Sequence, residues 1–273
     1  MIRLLKDLCR RIAMAQAPRG EGPAMDFVCN ICGGTNRAAP VAQVQGRETP
    51  SCRHCGSILR FRAVLHALSM ELYGRALVVE GFPTDKSIAG LGMSDHETYA
   101  RKLARKLDYA NTFYHDEPRL DITAIPADAV GRYRFLISSD VFEHIPLFAL
   151  DAAFRNSRRL LRDDGFFLFT VPYVKTGETR EHFPRLHDFR IEQADGRYVL
   201  RNKTAEGEEE TFENLVFHGG PGSTLEMRRF SEADLRRRLK AAGFSSIHFY
   251  EGPVPEFGIL WPPDESVPIV ARA

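Results

Sequence analysis

Four cysteines in two close pairs are the residues whose spacing points most directly to a defined chemistry. Cys29 and Cys32 form one Cys-x-x-Cys pair, and Cys52 and Cys55 form the other. Two such pairs can give a tetrahedral zinc ion four thiolate ligands, which leaves no open position for substrate or water. The spacing therefore predicts a structural zinc site, and two disulfides or free thiols are the alternative.

The segment around these cysteines is poor in apolar residues and rich in Gly, Pro, Arg and polar residues. Since structural zinc peptides gain about 10 to 16 kcal/mol on binding metal, zinc would decide whether this segment folds. We expect a zinc ribbon over residues 25–58. A basic amphipathic helix over 1–24, at a surface or interface, should precede it, and a larger domain over 59–273 should follow.

Two acids and a histidine directly follow the apolar run YRFLISS at 133–139. Residues 140–145 read DVFEHI and precede a run with helical spacing. Because ligands bind at the carboxyl ends of strands in an α/β sheet, these side chains indicate a binding site. The alternative is an ordinary strand end with solvated charges.

Short apolar runs alternate with amphipathic segments from residue 76 onward, which is typical of a parallel sheet covered by helices. We expect an α/β fold with a Rossmann-like, doubly wound sheet and right-handed crossovers. Its first strands are predicted at 76–80, 109–114, 133–139 and 165–172. Helices are predicted between them, including one that Asp95 could cap and that runs to about Lys106, and one from Leu147 to Leu161.

The pattern changes between residues 173 and 229. Turn signals at Asp195-Gly196 and Glu206-Gly207 predict an insertion that contains a β-hairpin. Ser231 then begins a capping-box helix that ends at Gly243, and strands are predicted near 244–251 and 266–272.

The DVFEHI segment resembles a signature of class I S-adenosylmethionine-dependent methyltransferases. The sequence RRLLRDDGFFLFTVPY at 158–173 is similar to the motif that follows it in that family, and Leu120-Asp121-Ile122-Thr123 resembles the family's acidic strand end. The cysteine pairs followed by CGSILRFR resemble bacterial methyltransferases that carry a zinc ribbon. The resemblance covers about 75–273 and implies methyl transfer from S-adenosylmethionine.

The resemblance also implies cofactor contacts. The Asp121 carboxylate is expected to accept a hydrogen bond from the adenine amino group, beside Ile122, and the strand end at Ser139 and Asp140 is expected to contact the cofactor. The family's first loop usually reads D-x-G-x-G-x-G, whereas this chain reads VVEGFP over 78–83. We expect the cofactor's amino group to be held by Glu80 and its methionine half to be held by the same loop, which comprises Glu80, Gly81, Phe82 and Pro83.

The insertion is the expected site of the methyl acceptor. A small-molecule acceptor of the sugar or secondary-metabolite type is predicted, bound by polar side chains at His182, His187, His218, Glu226 and Arg228. His144 is the first candidate for the base that removes the acceptor's proton, with His182 or His187 less favoured, because imidazole titrates near working pH.

Composition limits the other possibilities. The formal net charge is +1, from 37 Lys and Arg against 36 Asp and Glu, which argues against a dedicated nucleic-acid binder. No apolar run reaches the roughly 18 residues of a membrane span, so we expect a cytoplasmic enzyme. Two other functions stay open: a non-catalytic scaffold, which the unusual first loop favours, and an RNA methyltransferase whose ribbon grips RNA.

Overall fold

A computed structural model of the chain describes residues 22–194, 196–218 and 224–273. The helix predicted over 1–24 lies outside this part, except for its end, where Ala24 begins a strand instead. Two compact units are present. The first comprises the described residues up to Phe82 together with Glu251–Pro262, and the second comprises Pro83–Tyr250 with Pro263–Ala273.

The first unit combines a small hairpin with one long helix. The helix contributes Leu59 and Ala63 to an apolar cluster that also contains Phe257 and Ile259 from the return segment, by which we mean residues 251–262. It ends at Gly74, whose φ of +65° closes the helix in the left-handed conformation. The elements of this unit are β1 (Ala24–Val28), β2 (Thr35–Pro40), α1 (Val41–Gln45) and α2 (Leu59–Tyr73).

The second unit begins with alternating strands and helices, as the sequence predicts. Buried phenylalanines from its strands, among them Phe135 and Phe167, fill the core. The elements are β3 (Asp85–Met93), α3 (Glu97–Lys106), β4 (Leu107–Thr112), β5 (Tyr133–Ser139), α4 (Leu147–Leu160) and β6 (Leu161–Thr170).

The predicted insertion is present and is richer in strands than one hairpin. β9 and β10 meet at the turn predicted at Gly196, and β11 adds a third antiparallel strand after the turn at Gly207. The strands are β7 (Tyr173–Val174), β8 (Arg180–Glu181), β9 (Asp188–Ala194), β10 (Arg197–Lys203), β11 (Glu209–Phe212), β12 (Phe217–His218), β13 (Thr224–Leu225) and β14 (Arg228–Ser231).

The chain then completes the main sheet. Ser231 caps the next helix as predicted, because its Oγ accepts from the Asp234 amide at 3.3 Å. The last elements are α5 (Glu232–Ala241), β15 (Ser246–Phe249) and β16 (Ile269–Arg272).

The main sheet has the strand order β15-β16-β6-β5-β3-β4. β4, β3, β5 and β6 are parallel, whereas β16 is antiparallel to both of its neighbours. The chain passes from β3 outward to β4 and then back to β5 on the other side of β3. The predicted α/β doubly wound fold is therefore confirmed, and its topological switch point lies between β3 and β5.

The strand predicted at 76–80 is wrong. Val79–Gly81 form a short 3₁₀ turn, and the Val79 amide donates to the Asn30 carbonyl of the first unit at 2.8 Å. The first strand of the main sheet is β3. Gly90 and Gly92 make this strand difficult to predict from the sequence, because glycine has low strand propensity. The structure needs both glycines, since a Cβ at Gly90 would lie 2.1 Å from the Phe135 ring.

No helix among the described residues is both long enough and apolar enough to pass through a lipid bilayer.

Candidate functional site

The four paired cysteines come together in the first unit. Their sulfur atoms all lie within 4.8 Å of one another, with Cys29 and Cys55 at 3.7 Å and Cys32 and Cys52 at 3.7 Å. Four sulfurs bound tetrahedrally at 2.3 Å from one zinc ion would be about 3.8 Å apart. The cluster could therefore hold a metal ion, as the spacing predicts.

Both Cys-x-x-Cys segments form the same tight turn. The Gly33 amide donates to the Cys29 carbonyl and the Gly56 amide to the Cys52 carbonyl, each at 2.8 Å. The φ angles of +74° and +69° at these glycines fall in the left-handed region, which glycine adopts without strain. Hydrogen bonds among the four thiols lower the pKa values of Cys29 and Cys52 and raise those of Cys32 and Cys55.

The second candidate site lies at the carboxyl ends of β3 and β5, the switch point of the main sheet. Ser94 follows β3 with a φ of +58°, and Asp140 follows β5 with a φ of +54°. Non-glycine residues rarely adopt these angles, and such strain concentrates at ligand sites. The two neighbouring strand ends thus share one unusual backbone feature.

Asp95 is a buried carboxylate at this edge, only 3% exposed. Its Oδ1 accepts a hydrogen bond from the Tyr99 hydroxyl at 2.7 Å, and its Oδ2 accepts one from the Tyr109 hydroxyl. Burial raises the pKa of Tyr109 well above its usual value, so this hydroxyl keeps its proton and remains a donor. Asp95 therefore fixes the loop between β3 and α3 from inside.

The end of β4 holds the same loop from the other side. The Asn111 side chain accepts from the Asp95 amide at 2.9 Å and donates to the Asp95 carbonyl at 2.8 Å. A Cβ on Gly92 would lie 1.9 Å from the Tyr109 hydroxyl oxygen, so only glycine leaves room for these contacts. The helix predicted from Asp95 does form, but His96 caps it through the Thr98 amide.

Ser139 and Asp140, the predicted residues at the end of β5, form hydrogen bonds with Thr170 of β6. The Asp140 amide donates to the Thr170 carbonyl at 3.0 Å, and the Thr170 hydroxyl donates to Asp140 Oδ1 at 2.8 Å. Ser139 Oγ lies 3.3 Å from the same hydroxyl. Ser139 and Asp140 thus stand at the switch point, where the sequence predicts cofactor contacts.

Asp121 and Ile122 follow β4 in a turn. Asp121 Oδ1 accepts from the Thr123 amide at 2.9 Å and from the Thr123 hydroxyl at 2.7 Å. The Ile122 carbonyl accepts from the Asn156 side chain of α4 at 2.9 Å. The backbone at Asp121 is therefore held in place.

The 3₁₀ turn Phe142–His144 is joined to the end of the insertion by three hydrogen bonds. His144 Nδ1 lies 2.7 Å from the Leu225 carbonyl oxygen, and the Met227 amide donates to the Glu143 carbonyl at 2.9 Å. Since a carbonyl only accepts, His144 Nδ1 carries the hydrogen. His144 Nε2 then lies 3.7 Å from Oε1 of the fully buried Glu143.

The third of these bonds comes from Arg228. This side chain is fully buried, with Nη1 donating to the Phe142 carbonyl at 3.0 Å and Nε to Glu181 at 2.8 Å. Burial lowers the pKa of Arg228, and the Glu181 carboxylate opposes that shift. The geometry contradicts a role for Arg228 as an accessible acceptor ligand, because its guanidinium already connects β8 to the Phe142–His144 turn.

The remaining residues predicted to bind the acceptor lie in different environments. His182 lies with Nδ1 3.2 Å from the Glu226 carbonyl oxygen and Nε2 3.8 Å from the Glu226 carboxylate. His187 is exposed at the start of the three-stranded sheet of the insertion. The backbone of His218 pairs with Thr224 in β12 and β13. Among the side chains of this set that the structure describes, those of His182 and Glu226 lie next to each other.

The predicted first loop, comprising Glu80, Gly81, Phe82 and Pro83, precedes β3 in the chain. Ligands in an α/β sheet bind at the carboxyl ends of strands, so the strand end that justified this loop is absent there. The loop that follows the first strand of the main sheet consists of Ser94, Asp95 and His96. The available signal in the sequence was Gly90-x-Gly92 in a mainly apolar run just before an acid.

No family model matches this chain, and no curated protein matches it. Solved structures of methyltransferases do resemble it. The citrinin polyketide synthase CMeT domain is 14% identical, with a TM-score of 0.45, over 80% of this chain and 53% of that one. This chain thus spans about half of that structure's length.

Two further solved structures are matched over a larger share of their own length. An S-adenosylmethionine-dependent methyltransferase from Clostridium acetobutylicum is 11% identical, with a TM-score of 0.41, over 68% of this chain and 84% of that one. The Burkholderia thailandensis 1,6-didemethyltoxoflavin-N1-methyltransferase, solved with S-adenosylhomocysteine, is 15% identical, with a TM-score of 0.39, over 77% and 78%.

Proposed function

We propose that the chain transfers a methyl group from S-adenosylmethionine to a small-molecule acceptor. The observation that carries this proposal is the switch point of the doubly wound sheet, where Ser94 and Asp140 share left-handed backbone angles beside the DVFEHI segment. A crevice at this place is where such sheets bind nucleoside-containing cofactors.

The residues at this edge suit the cofactor's chemistry. Asp121 and Asp140 supply carboxylates that can accept hydrogen bonds from amino and hydroxyl groups and can offset a positive charge. Ser139 and Ile122 border them, and the Ser94-Asp95-His96 loop takes the place that the sequence had assigned to Glu80, Gly81, Phe82 and Pro83. When bound, the cofactor supplies an electrophilic methyl group on its sulfonium.

His144 is the proposed base. Its Nδ1 hydrogen is directed at the Leu225 carbonyl, which fixes the ring and leaves Nε2 to take a proton. The Glu143 carboxylate, 3.7 Å away, would stabilise the imidazolium formed by that proton. We propose that His182 and Glu226 contact the acceptor, whereas the buried Arg228 holds the insertion in place.

We further propose that the four cysteines hold one structural zinc ion. The sulfur separations and the all-thiolate donor set support zinc, and a reducing cytoplasm, which we predict for this protein, would keep the thiols available. Elemental analysis of the purified chain should give one zinc per chain. Zinc well below one equivalent, or a disulfide between Cys29 and Cys32 under reducing conditions, would exclude the site.

Calorimetry with S-adenosylmethionine and with its demethylated product tests the cofactor site. We expect binding by the zinc-loaded chain and an affinity loss of about 1 to 3 kcal/mol in Asp121→Ala, which leaves the adenine amino group unpaired. The absence of heat at millimolar cofactor, with folded protein, would instead favour a non-catalytic scaffold.

A further inference from the structure

Arg62 is a fully buried cation next to the cysteine cluster. Its Nη1 donates to Ser51 Oγ at 2.9 Å, to the Ser57 carbonyl at 3.0 Å and to Ser57 Oγ at 3.4 Å. Its Nη2 donates to the Gly258 carbonyl at 2.9 Å, and its guanidinium lies 4.9 Å from the centre of the Phe27 ring. All of these partners are neutral.

A buried charge without an opposite charge is costly. In the described part of the chain no carboxylate forms an ion pair with Arg62, in contrast to Arg60, which pairs with Glu48 at 2.6 Å. Burial lowers the pKa of Arg62, and the negative charges that raise it belong to Cys29, Cys52 and Cys55. The cysteine cluster is therefore where a compensating charge can reside.

We infer that Arg62 is the charge partner of the metal centre held by the four cysteines. Four thiolates around one divalent ion leave a net charge of about −2, which one buried guanidinium offsets in part. Ser57 connects the two groups, because its hydroxyl lies 3.4 Å from Arg62 Nη1 and 3.2 Å from Cys29 Sγ. This inference depends on the zinc site proposed above.

The same residue couples the metal centre to the return segment. The hydrogen bond from Arg62 to Gly258 joins α2 to the tight turn in which Val254 and Ile259 exchange backbone hydrogen bonds at 2.8 and 3.1 Å. A change in charge at the cysteines thus acts on residues about two hundred positions later in the chain.

The test compares three variants of the full-length chain. Arg62→Met removes the charge and keeps much of the length, Arg62→Lys keeps the charge, and Arg60→Met is the matched control because Glu48 already balances Arg60. Zinc affinity is measured by competition with a chromophoric chelator. Melting temperature is measured with zinc bound and after chelation, and amide exchange is measured at Val254 and Ile259.

We expect Arg62→Met to weaken zinc binding by about tenfold or more, the usual effect of losing a group that supports metal ligands. Arg60→Met and Arg62→Lys should change it by about threefold or less. The gain in melting temperature on zinc binding should shrink in Arg62→Met alone. In the wild type, chelation should speed exchange at Val254 and Ile259.

A purely structural role gives a different result. Arg62→Met would then lower the melting temperature equally with and without zinc, and zinc affinity would not change, which would overturn the inference. If Arg62→Met does not fold, the test depends on Arg62→Lys. A tenfold loss of zinc affinity in that variant, which retains the positive charge, would also overturn the inference. A wild-type chain that binds no zinc would instead refute the zinc proposal itself.

Discussion

Asp95 shows how one buried acid can fix the loop that follows a strand. Both of its carboxylate oxygens accept tyrosine hydroxyls, and Asn111 bonds to its backbone on both sides. The loop after β3 is therefore fixed by the protein itself, which reduces the ordering cost of binding.

Replacing Asp95 with alanine should destabilise the fold. Two buried hydroxyls, those of Tyr99 and Tyr109, would lose their acceptor, at about 1 to 3 kcal/mol for each unpaired group. Urea unfolding measures the loss, and the exposed neighbour Asp108→Ala is the control. Equal stability of the two variants would show that the tyrosines find other partners.

His144 and His248 form a matched pair of histidines for testing the base, because His248 has no proposed role in the reaction. His144→Ala should reduce the methylation rate about a hundredfold, the usual effect of losing general-base help, without weakening cofactor binding. His248→Ala should leave the rate unchanged, because His248 is exposed on β15 at the edge of the main sheet. An unchanged rate in His144→Ala would remove it from the mechanism.

At the scale of elements, the insertion is held to the site by Arg228. The guanidinium joins Glu181 of β8 to the Phe142 carbonyl, and the neighbouring Met227 amide joins the Glu143 carbonyl. β8, β14 and the Phe142–His144 turn therefore form one connected structure, on which the proposed acceptor contacts would depend.

Arg228→Met should unfold or loosen this structure. Removing one partner of a buried pair leaves Glu181 uncompensated, at roughly 3 to 5 kcal/mol. Arg229→Met is the control, because Arg229 is the next residue and is exposed. Chemical denaturation and amide exchange over β8 and β14 measure the effect, and equal behaviour of the two variants would restore Arg228 as a possible acceptor ligand.

Asp234, in the first turn of α5, should contribute to stability in a way that depends on pH in the acid range. Burial raises the pKa of Asp234, but hydrogen bonds from Arg238 and Thr179 lower it by more, so it ends below its ordinary 3.8. A carboxyl with a depressed pKa stabilises the fold above its ordinary pKa, and that contribution is lost as pH falls through the folded value.

Asp234→Asn should therefore flatten the acid side of the stability profile. The wild type should lose more unfolding free energy than the variant between neutral pH and a pH below about 3. Urea titrations at several pH values measure both curves. Parallel curves would mean that other carboxyls carry the dependence.

Sequence reasoning succeeded for elements with a strong local pattern. The strand at 133–139 and the helix from Leu147 were predicted within one residue, because continuous apolar runs and helical spacing are local signals. β3 was missed because the side chains that most closely approach its glycines, Phe135 and Tyr109, lie elsewhere in the chain. The cysteine cluster was predicted because all four cysteines share one short segment. The contacts of Arg228 could not be predicted from the sequence, because its hydrogen bond to Phe142 joins residues 86 positions apart.

At the scale of the whole molecule, the first unit is built from two separate stretches of chain. Leu59 and Ala63 of α2 lie in one apolar cluster with Phe257 and Ile259 of the return segment. Ile259 is 1% exposed, so its side chain contributes to this cluster rather than to the surface.

Ile259→Ala should destabilise the first unit selectively. The cavity left in the cluster should cost about 2 to 5 kcal/mol. Amide exchange should accelerate in α2 while β5 and β6 keep their protection, with the exposed Glu256→Ala as control. Uniform acceleration over both units would indicate that they unfold together.

The return segment also sets an order of events during synthesis. All four cysteines are translated about two hundred residues before positions 257 and 259, so they are available to a metal ion before the return segment exists. The apolar face of α2 cannot be covered until residues 257 and 259 arrive, after the main sheet has received its first strands. Until residues 257 and 259 have been translated, the first unit is unfinished, and its open apolar face is a target for chaperones.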